Sequence, residues 1–206
     1  MTPTDTAFVG DIHGNIAALH GILDLLDEID VIDRIVFLGD YINKGGDSNE
    51  VIQTLMERSL GGKITTLRGN HEEEMLKALD TGDLASFLKM GGASTIRSYV
   101  RRDVRADVVS DFRVSVPIEH INFLQNMPQV YETRYLVASH QPAAADETRF
   151  RISAHVPVGD LPKVSADFAH IDTGCSTSGG RLTAFAWPSL TYVQVDSDGY
   201  PIESST

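Results

Sequence analysis

The sequence predicts an α/β fold, a two-sheet β-sandwich flanked by helices, and three observations carry that prediction. Short apolar strands alternate with amphipathic helices from the N-terminus to residue 79. From residue 129 the chain changes to short, β-rich, turn-separated segments. Three Gly-polar stretches, "GDIHG" (10–14), "GDYINKG" (39–45) and "GNHEE" (69–73), each follow an apolar run directly. The 206 residues suggest one domain spanning 1–206.

Taken in order, "TAFVG" (6–10) is short, apolar and closes on glycine, so it reads as a strand. In 15–29, Ile16, Leu19, Ile22, Leu23 and Leu26 recur at helical spacing. A second strand occupies 34–39 and a second helix 48–60, with Ser48 placed to cap it. A third strand (63–69) and a third helix (72–79) complete the run. This alternation implies βαβ units and a mostly parallel sheet. Residues 86–100 read as two short helical pieces joined by Gly91-Gly92, and Pro117 opens a helix over 117–127. The segments beginning at 129, 135, 150, 168, 181 and 191 then look like a second sheet, mixed or antiparallel, facing the first.

Composition narrows the function. Hydrophobic residues make up 42% and charged residues 22%, ordinary globular values that supply a core. The net charge of -12 argues against non-specific binding to nucleic acid or anionic membrane. A single cysteine, Cys175, excludes an intrachain disulfide. The polar N-terminus has no signal-peptide pattern and no run is long enough to span a bilayer, so a soluble, cytoplasmic protein is expected.

Ligands of open α/β sheets sit at the carboxyl ends of the strands, where all three Gly-polar stretches fall. The first supplies Asp11 and His13, two positions apart and so on one side of an extended chain. The second supplies Asp40, the third Asn70 and His71, and later strand ends add His140 and His155. Carboxylates and an amide oxygen mixed with imidazoles suit Mn, Fe or Zn better than Ca or Mg. Two Asp carboxylates, one Asn carbonyl and three His nitrogens make six donors, which suit two ions sharing a bridging carboxylate. Two ions about 3.5–4 Å apart form the usual clamp for phosphate-ester hydrolysis. No GxxxxGK[ST] loop is present for nucleotide-dependent transfer. Any one of these residues alone is more often a cap or turn residue; the three-part pattern is what carries weight.

Together "GDIHG", "GDYINKG" and "GNHE" resemble the signature of the phosphoprotein phosphatase branch of the calcineurin-like metallophosphoesterases. Three later segments are similar to bacterial serine/threonine phosphatases of that branch: "FLKMGGASTIRSYV" (87–100 within it), the helix from 117, and "IDTG" (171–174) with "GGRLTAF" (179–185). The resemblance implies that Asp11, His13 and His155 bind one divalent metal and Asn70 and His140 a second, with Asp40 bridging. Manganese is expected, with iron or zinc as substitutes. It further implies attack by metal-bound hydroxide, His71 as general acid, and Asn70 also holding the phosphate. The implied substrate is a phosphorylated protein, or in a close variant a small phosphoester such as a dinucleoside polyphosphate. A weakly active phosphate-binding module is the remaining alternative.

Two departures stand out. Asn43 and Lys44 occupy the places of the Asp and Arg usual in the family's second motif. Asn43 would then orient His71 without a negative charge, and Lys44 would meet phosphate without a planar fork. The stretch between His140 and His155 is short, which removes the usual place of a second phosphate-binding Arg; Arg149 is the expected substitute, with Arg151 beside it. His20 and His120 read as surface or core-edge, His170 as structural and Cys175 as no nucleophile. The acidic runs at 27–30 and 71–75 read as solvated helix faces.

Overall fold

A computed structural model describes residues 4–101, 107–145 and 148–203. Its first half runs β1 (Asp5–Val9), α1 (Ile16–Asp27), β2 (Ile32–Phe37), α2 (Ser48–Ser59), β3 (Ile64–Thr66) and α3 (Asn70–Thr81). Four helices follow: α4 (Ala85–Lys89), α5 (Gly92–Val100), α6 (Val108–Ser115) and α7 (Ile118–Asn126). The remainder is β4 (Val130–Glu132), β5 (Leu136–Ser139), β6 (Phe150–Ser153), β7 (Lys163–Val164), β8 (Phe168–His170), β9 (Arg181–Trp187) and β10 (Thr191–Asp196).

The strands form two five-stranded sheets, in the orders β10-β9-β1-β2-β3 and β4-β5-β6-β8-β7. β1, β2 and β3 are parallel, as the βαβ pattern predicts. In the second sheet β5, β6 and β8 are parallel, with antiparallel strands at both edges. Both faces of the first sheet are buried. Ala7, Val9, Ile35 and Phe37 point to the helices, while Phe8, Val36, Leu38 and Phe185 point to the second sheet. The second sheet answers with Leu136, Ala138, Ile152 and Ala169, and Phe150 stacks on Phe185 with centroids 6.1 Å apart. Period-two alternation between two apolar environments explains why β1 and β2 read as unbroken apolar runs.

Three features differ from the sequence reading. The last two strands belong to the first sheet, where β9 pairs antiparallel with β1 and β10 with β9. "RLTAFAW" has its middle five residues buried, so it suits an interior strand clad on both sides rather than an edge of the second sheet. Helix α6 was not expected; it is short, and within it only Asp111 and Phe112 are buried, with Val108 packed against the core. Phe112 stacks on Phe87, and the Asp107 side chain accepts the Ser110 amide, so packing and a cap make the helix. Helix α3 begins at Asn70, two residues early, which lifts Asn70 and His71 from a strand end into a first helical turn.

Phe185 is fully buried between the sheets. Phe185→Ala is expected to lower unfolding free energy by about 3–5 kcal/mol in urea titration. A loss under about 1 kcal/mol would mean that the two sheets do not share a packed core.

Candidate functional site

The carboxyl ends of β1, β2 and β3 and those of β5 and β6 meet at one edge of the sandwich. Asp11, His13, Asp40, Asn70, His71, His140 and His155 converge there, with Asp40 among them. Its Oδ2 lies 3.9 Å from His13 Nε2 and 3.6 Å from His71 Nε2, and its Oδ1 lies 3.2 Å from His140 Nε2. Asp11 Oδ2 is 3.5 Å from His13 Nε2, and Asp11 Oδ1 accepts the His155 amide at 3.3 Å. Asp11, His13, Asp40 and His140 are each under 5% exposed, so these groups meet with little water between them.

The loops reach this geometry through strained backbone. Outside glycine, the described residues with left-handed φ are His13, Asp40, Asn43, Lys44, Arg101, His155 and Leu190. Five of these line the cluster. Each such conformation costs about 1–3 kcal/mol and persists where the surroundings over-determine it. Asp11 and His13 therefore meet across a turn, with φ of 50° at His13 and 68° at Gly14, rather than along an extended strand.

The surroundings that hold the turns centre on Glu72. Its carboxylate accepts backbone N–H groups of Asp40 at 2.9 Å, Tyr41 at 2.8 Å and Gly69 at 3.0 Å. Glu72 is wholly buried, so the expectation of a solvated helix face fails for it. The reason is positional: it is the third residue of α3, where a side chain folds back over the helix start. Burial and the neighbouring Asp40 charge push its pKa up to about 7 against the pull of those amides. Tyr41 Oη donates to the carbonyl of Leu67 at 2.6 Å and lies 3.1 Å from that of Phe37, tying the ends of β2 and β3.

The donor chemistry fits divalent cations. His13 Nδ1 lies 3.1 Å from the Ile42 carbonyl, which fixes a proton there and leaves the Nε2 lone pair facing Asp11, Asp40 and the Lys44 ammonium. His140 Nε2 lies 2.8 Å from Asn70 Oδ1 and 3.0 Å from His155 Nδ1. Together with Asp40 Oδ1 these are more lone pairs than one proton can satisfy. His140 Nδ1 is buried with no hydrogen-bond partner. Two triplets, His13–Asp40–His71 and Asp40–His140–His155, each present ligand atoms within 4.8 Å of one another. The electrostatics agree. Burial alone would lower the His140 pKa, yet its hydrogen bond to Asp40 and the Asp40 and Asp11 charges raise it to about 9. Burial alone would raise Asp40, but the imidazoles hold it at about 2. The spot favours positive charge.

Asn43 and Lys44 are also drawn in. Asn43 Nδ2 is 2.7 Å from His71 Nδ1, and Lys44 Nζ is 2.7 Å from His13 Nε2. Burial, with the positive charges of His13 and Lys44, pushes the His71 pKa down to about 4 despite Asp40. Arg149 is not brought here, which corrects the expectation of a phosphate contact. It precedes β6, at the opposite end of that strand from His155, and pairs with Glu132 at 3.0 Å. Arg151 likewise pairs with Asp167.

The remaining expectations divide. His20 is exposed, and His170 bonds Ser153 Oγ at 2.7 Å. His120 is core rather than surface, held between Tyr99 Oη at 2.9 Å and Gln53 Oε1 at 2.8 Å. Cys175 is buried, and burial pushes its thiol pKa up to about 12. Ser48 opens α2 instead of capping it, and its hydroxyl faces Asn43 and Thr95. Sequence reasoning missed Glu72 and Thr95. The first was visible as an acid three residues after Gly69, the second only as a threonine in the 87–100 segment.

The calcineurin-like phosphoesterase family model matches residues 5–161. Serine/threonine-protein phosphatase 2 of Escherichia coli is 37% identical over 84 residues, 41% of this chain and 37% of that protein. A symmetrical bis(5'-nucleosyl)-tetraphosphatase of Erwinia tasmaniensis is 28% identical over 138 residues, 66% of this chain and 43% of that protein. The chain thus spans less than half the length of these curated relatives. A crystal structure of a candidate diadenosine tetraphosphatase superposes with a TM-score of 0.67 at 19% identity, covering 99% of this chain and 96% of that one, a likeness of fold. Among the described residues, no helix is long and apolar enough to cross a membrane.

Glu72→Ala would strand three buried amides, and is expected to cost more than about 3 kcal/mol of stability, with Glu72→Gln costing less. Chemical denaturation of both variants measures this; equal, small losses would remove Glu72 as the organiser of the loops. Cys175 is expected to resist iodoacetamide at pH 8 until the chain is unfolded, as read by mass spectrometry.

Proposed function

The chain belongs to the calcineurin-like phosphoesterase family, and from that premise we propose that it is a metal-dependent phosphomonoesterase acting on phosphoserine and phosphothreonine in proteins. The convergence of Asp11, His13, Asp40, Asn70, His71, His140 and His155 on one buried edge carries this reading. Asp11, His13 and His155 would hold one divalent ion and Asn70 and His140 another, with Asp40 between them and manganese the expected metal. When bound, the pair supplies neutralisation of phosphoryl oxygens and activation of water.

The chain's own groups do the rest. Lys44 offers an ammonium beside His13 for a phosphoryl oxygen. The Asn70 amide contributes to holding the phosphate. His71 faces the Asp40 side with Nε2 and presents it to the leaving oxygen, while Asn43 sets its ring from behind. The charge at hand supports a monoester. Among the described residues Lys44 reaches the cluster, whereas Arg149 and Arg151 pair with acids elsewhere. A dinucleoside polyphosphate carries more negative charge and asks for more cations. Hydrolysis of such a compound is the second reading, supported by the relatives of that name.

The test strips the protein with chelator, restores Mn²⁺, counts metal per chain, and compares p-nitrophenyl phosphate, a phosphothreonine peptide and diadenosine tetraphosphate. Two ions with turnover of the first two substrates is the expected result. Turnover of the tetraphosphate alone would replace it with the second reading, and bound metal without turnover would make the chain a binding module. Asp40→Asn is expected to lower activity at least about 100-fold with metal content reduced; full activity would remove Asp40 from the centre.

A further inference from the structure

Beside the reacting edge, on its His13 side, lies an open recess of about 430 Å³. Two loops far apart in sequence wall it: Gly45, Gly46 and Asp47 ahead of α2, and Ser176 to Ser178 between β8 and β9. The first wall is tied to the His13 loop. The Gly45 amide donates to the His13 carbonyl at 2.9 Å, and the Asp47 amide to the Gly14 carbonyl at 3.0 Å. The second wall is closed on itself: Thr177 Oγ1 donates to the Gly174 carbonyl at 2.7 Å, and the Gly180 amide to the Thr177 carbonyl at 2.9 Å. The His13 and His71 rings lie 4.7 Å apart between centroids, so a leaving oxygen at His71 is within a side chain's reach of the recess. We propose that this recess is a substrate subsite: it takes the polypeptide next to the phosphorylated residue, and Asp47 receives a basic side chain of that polypeptide.

Lining, charge and width select that occupant. Nucleosides and other flat ligands are held mostly by apolar and aromatic surfaces, and no Phe, Tyr or Trp lines this recess. Its walls are small and polar, which suits the peptide groups of an extended chain. Among the described residues, the side chains of Asp47, Ser176 and Ser178 make no hydrogen bond or ion pair, so their oxygens are open to a ligand. Asp47 precedes α2 without capping it, so the helix start does not take up its carboxylate. That carboxylate is the one acid of the lining, and no lysine or arginine stands beside it there. A further phosphate of a polyphosphate would be repelled by it, whereas a lysine or arginine side chain would pair with it. Gly46 sets the width. A Cβ there would meet nothing within 4 Å, and its φ lies outside the left-handed region. The backbone does not require glycine at 46; its effect is to leave the recess open.

This inference rests on the phosphoprotein reading and sharpens it. The test measures kcat/KM of the Mn²⁺-restored enzyme on phosphothreonine peptides that differ only in their flanking residues: lysine, alanine or glutamate. The reference is p-nitrophenyl phosphate, which has no flanking chain. Wild type is expected to prefer the lysine peptide to the glutamate peptide. Asp47→Asn is expected to shrink that preference about 2- to 5-fold, the size of a partly exposed ion pair. Gly46→Phe is expected to lower kcat/KM for the lysine peptide at least about 10-fold more than for p-nitrophenyl phosphate. Equal turnover of the three peptides by wild type, or a preference for glutamate, would overturn the proposal. So would a folded Gly46→Phe protein whose loss is the same on peptide and p-nitrophenyl phosphate. If Gly46→Phe does not fold, the wild-type and Asp47→Asn comparisons decide. A wild type that turns over p-nitrophenyl phosphate and diadenosine tetraphosphate but none of the peptides would instead remove the phosphoprotein reading itself.

Discussion

The Glu72 carboxylate binds the amides of Asp40, Tyr41 and Gly69, and the far end of the first sheet is organised around that contact. Asp40 has a left-handed backbone, so its amide cannot be satisfied by an ordinary ladder bond. With the amide held by Glu72, the Asp40 side chain is free to turn towards three histidines and also accepts the His71 amide at 3.1 Å. One buried acid thus fixes a second acid and the start of α3 together. Glycine at 69 is part of the same arrangement, because a Cβ there would fall onto Asp40. The strain in the turns and the burial of a carboxylate are each unfavourable alone; their mutual satisfaction makes the loops rigid.

Much of this was legible in the chain. The βαβ alternation predicts three parallel strands, and the three Gly-polar stretches mark the loops that converge. The histidines at 140 and 155 follow from strands that stop at them. Other features were hidden for identifiable reasons. An apolar run such as "RLTAFAW" gives a strand but not its sheet, because partner choice is a long-range matter. Glu72 sits among three consecutive acids, and only its place three residues after Gly69 tells the buried one from Glu73 and Glu74. Arg149 has the right chemistry for phosphate, but strand direction, which sequence does not reveal, puts it at the wrong end. Thr95 matters only through Asn43 and Ser48, neighbours drawn from two other elements.

Asn43 and Lys44 show how a position can keep a role while its charge changes. A carboxylate at 43 would pull a proton to His71 Nδ1; an amide can face either way and depends on whatever holds its other end. Lys44 reaches into the cluster from a residue whose φ is 63°, so the backbone turn, not the length of the side chain alone, aims its ammonium. Both residues belong to the loop that Glu72 anchors from below and Thr95 from above.

The donors come from both sheets. Asp11, His13, Asp40 and Asn70 follow β1, β2 and β3 of the first, His140 and His155 follow β5 and β6 of the second. The edge where they meet is therefore a seam, and any ion or phosphate gripping both sides acts as a rivet through it. Its binding energy adds to the cohesion of the sandwich. Because β9, which pairs with β1, follows His140 and His155 along the chain, a growing polypeptide completes the first jaw only after the second has been made. Closure of the seam is then the last event of folding that the site can register.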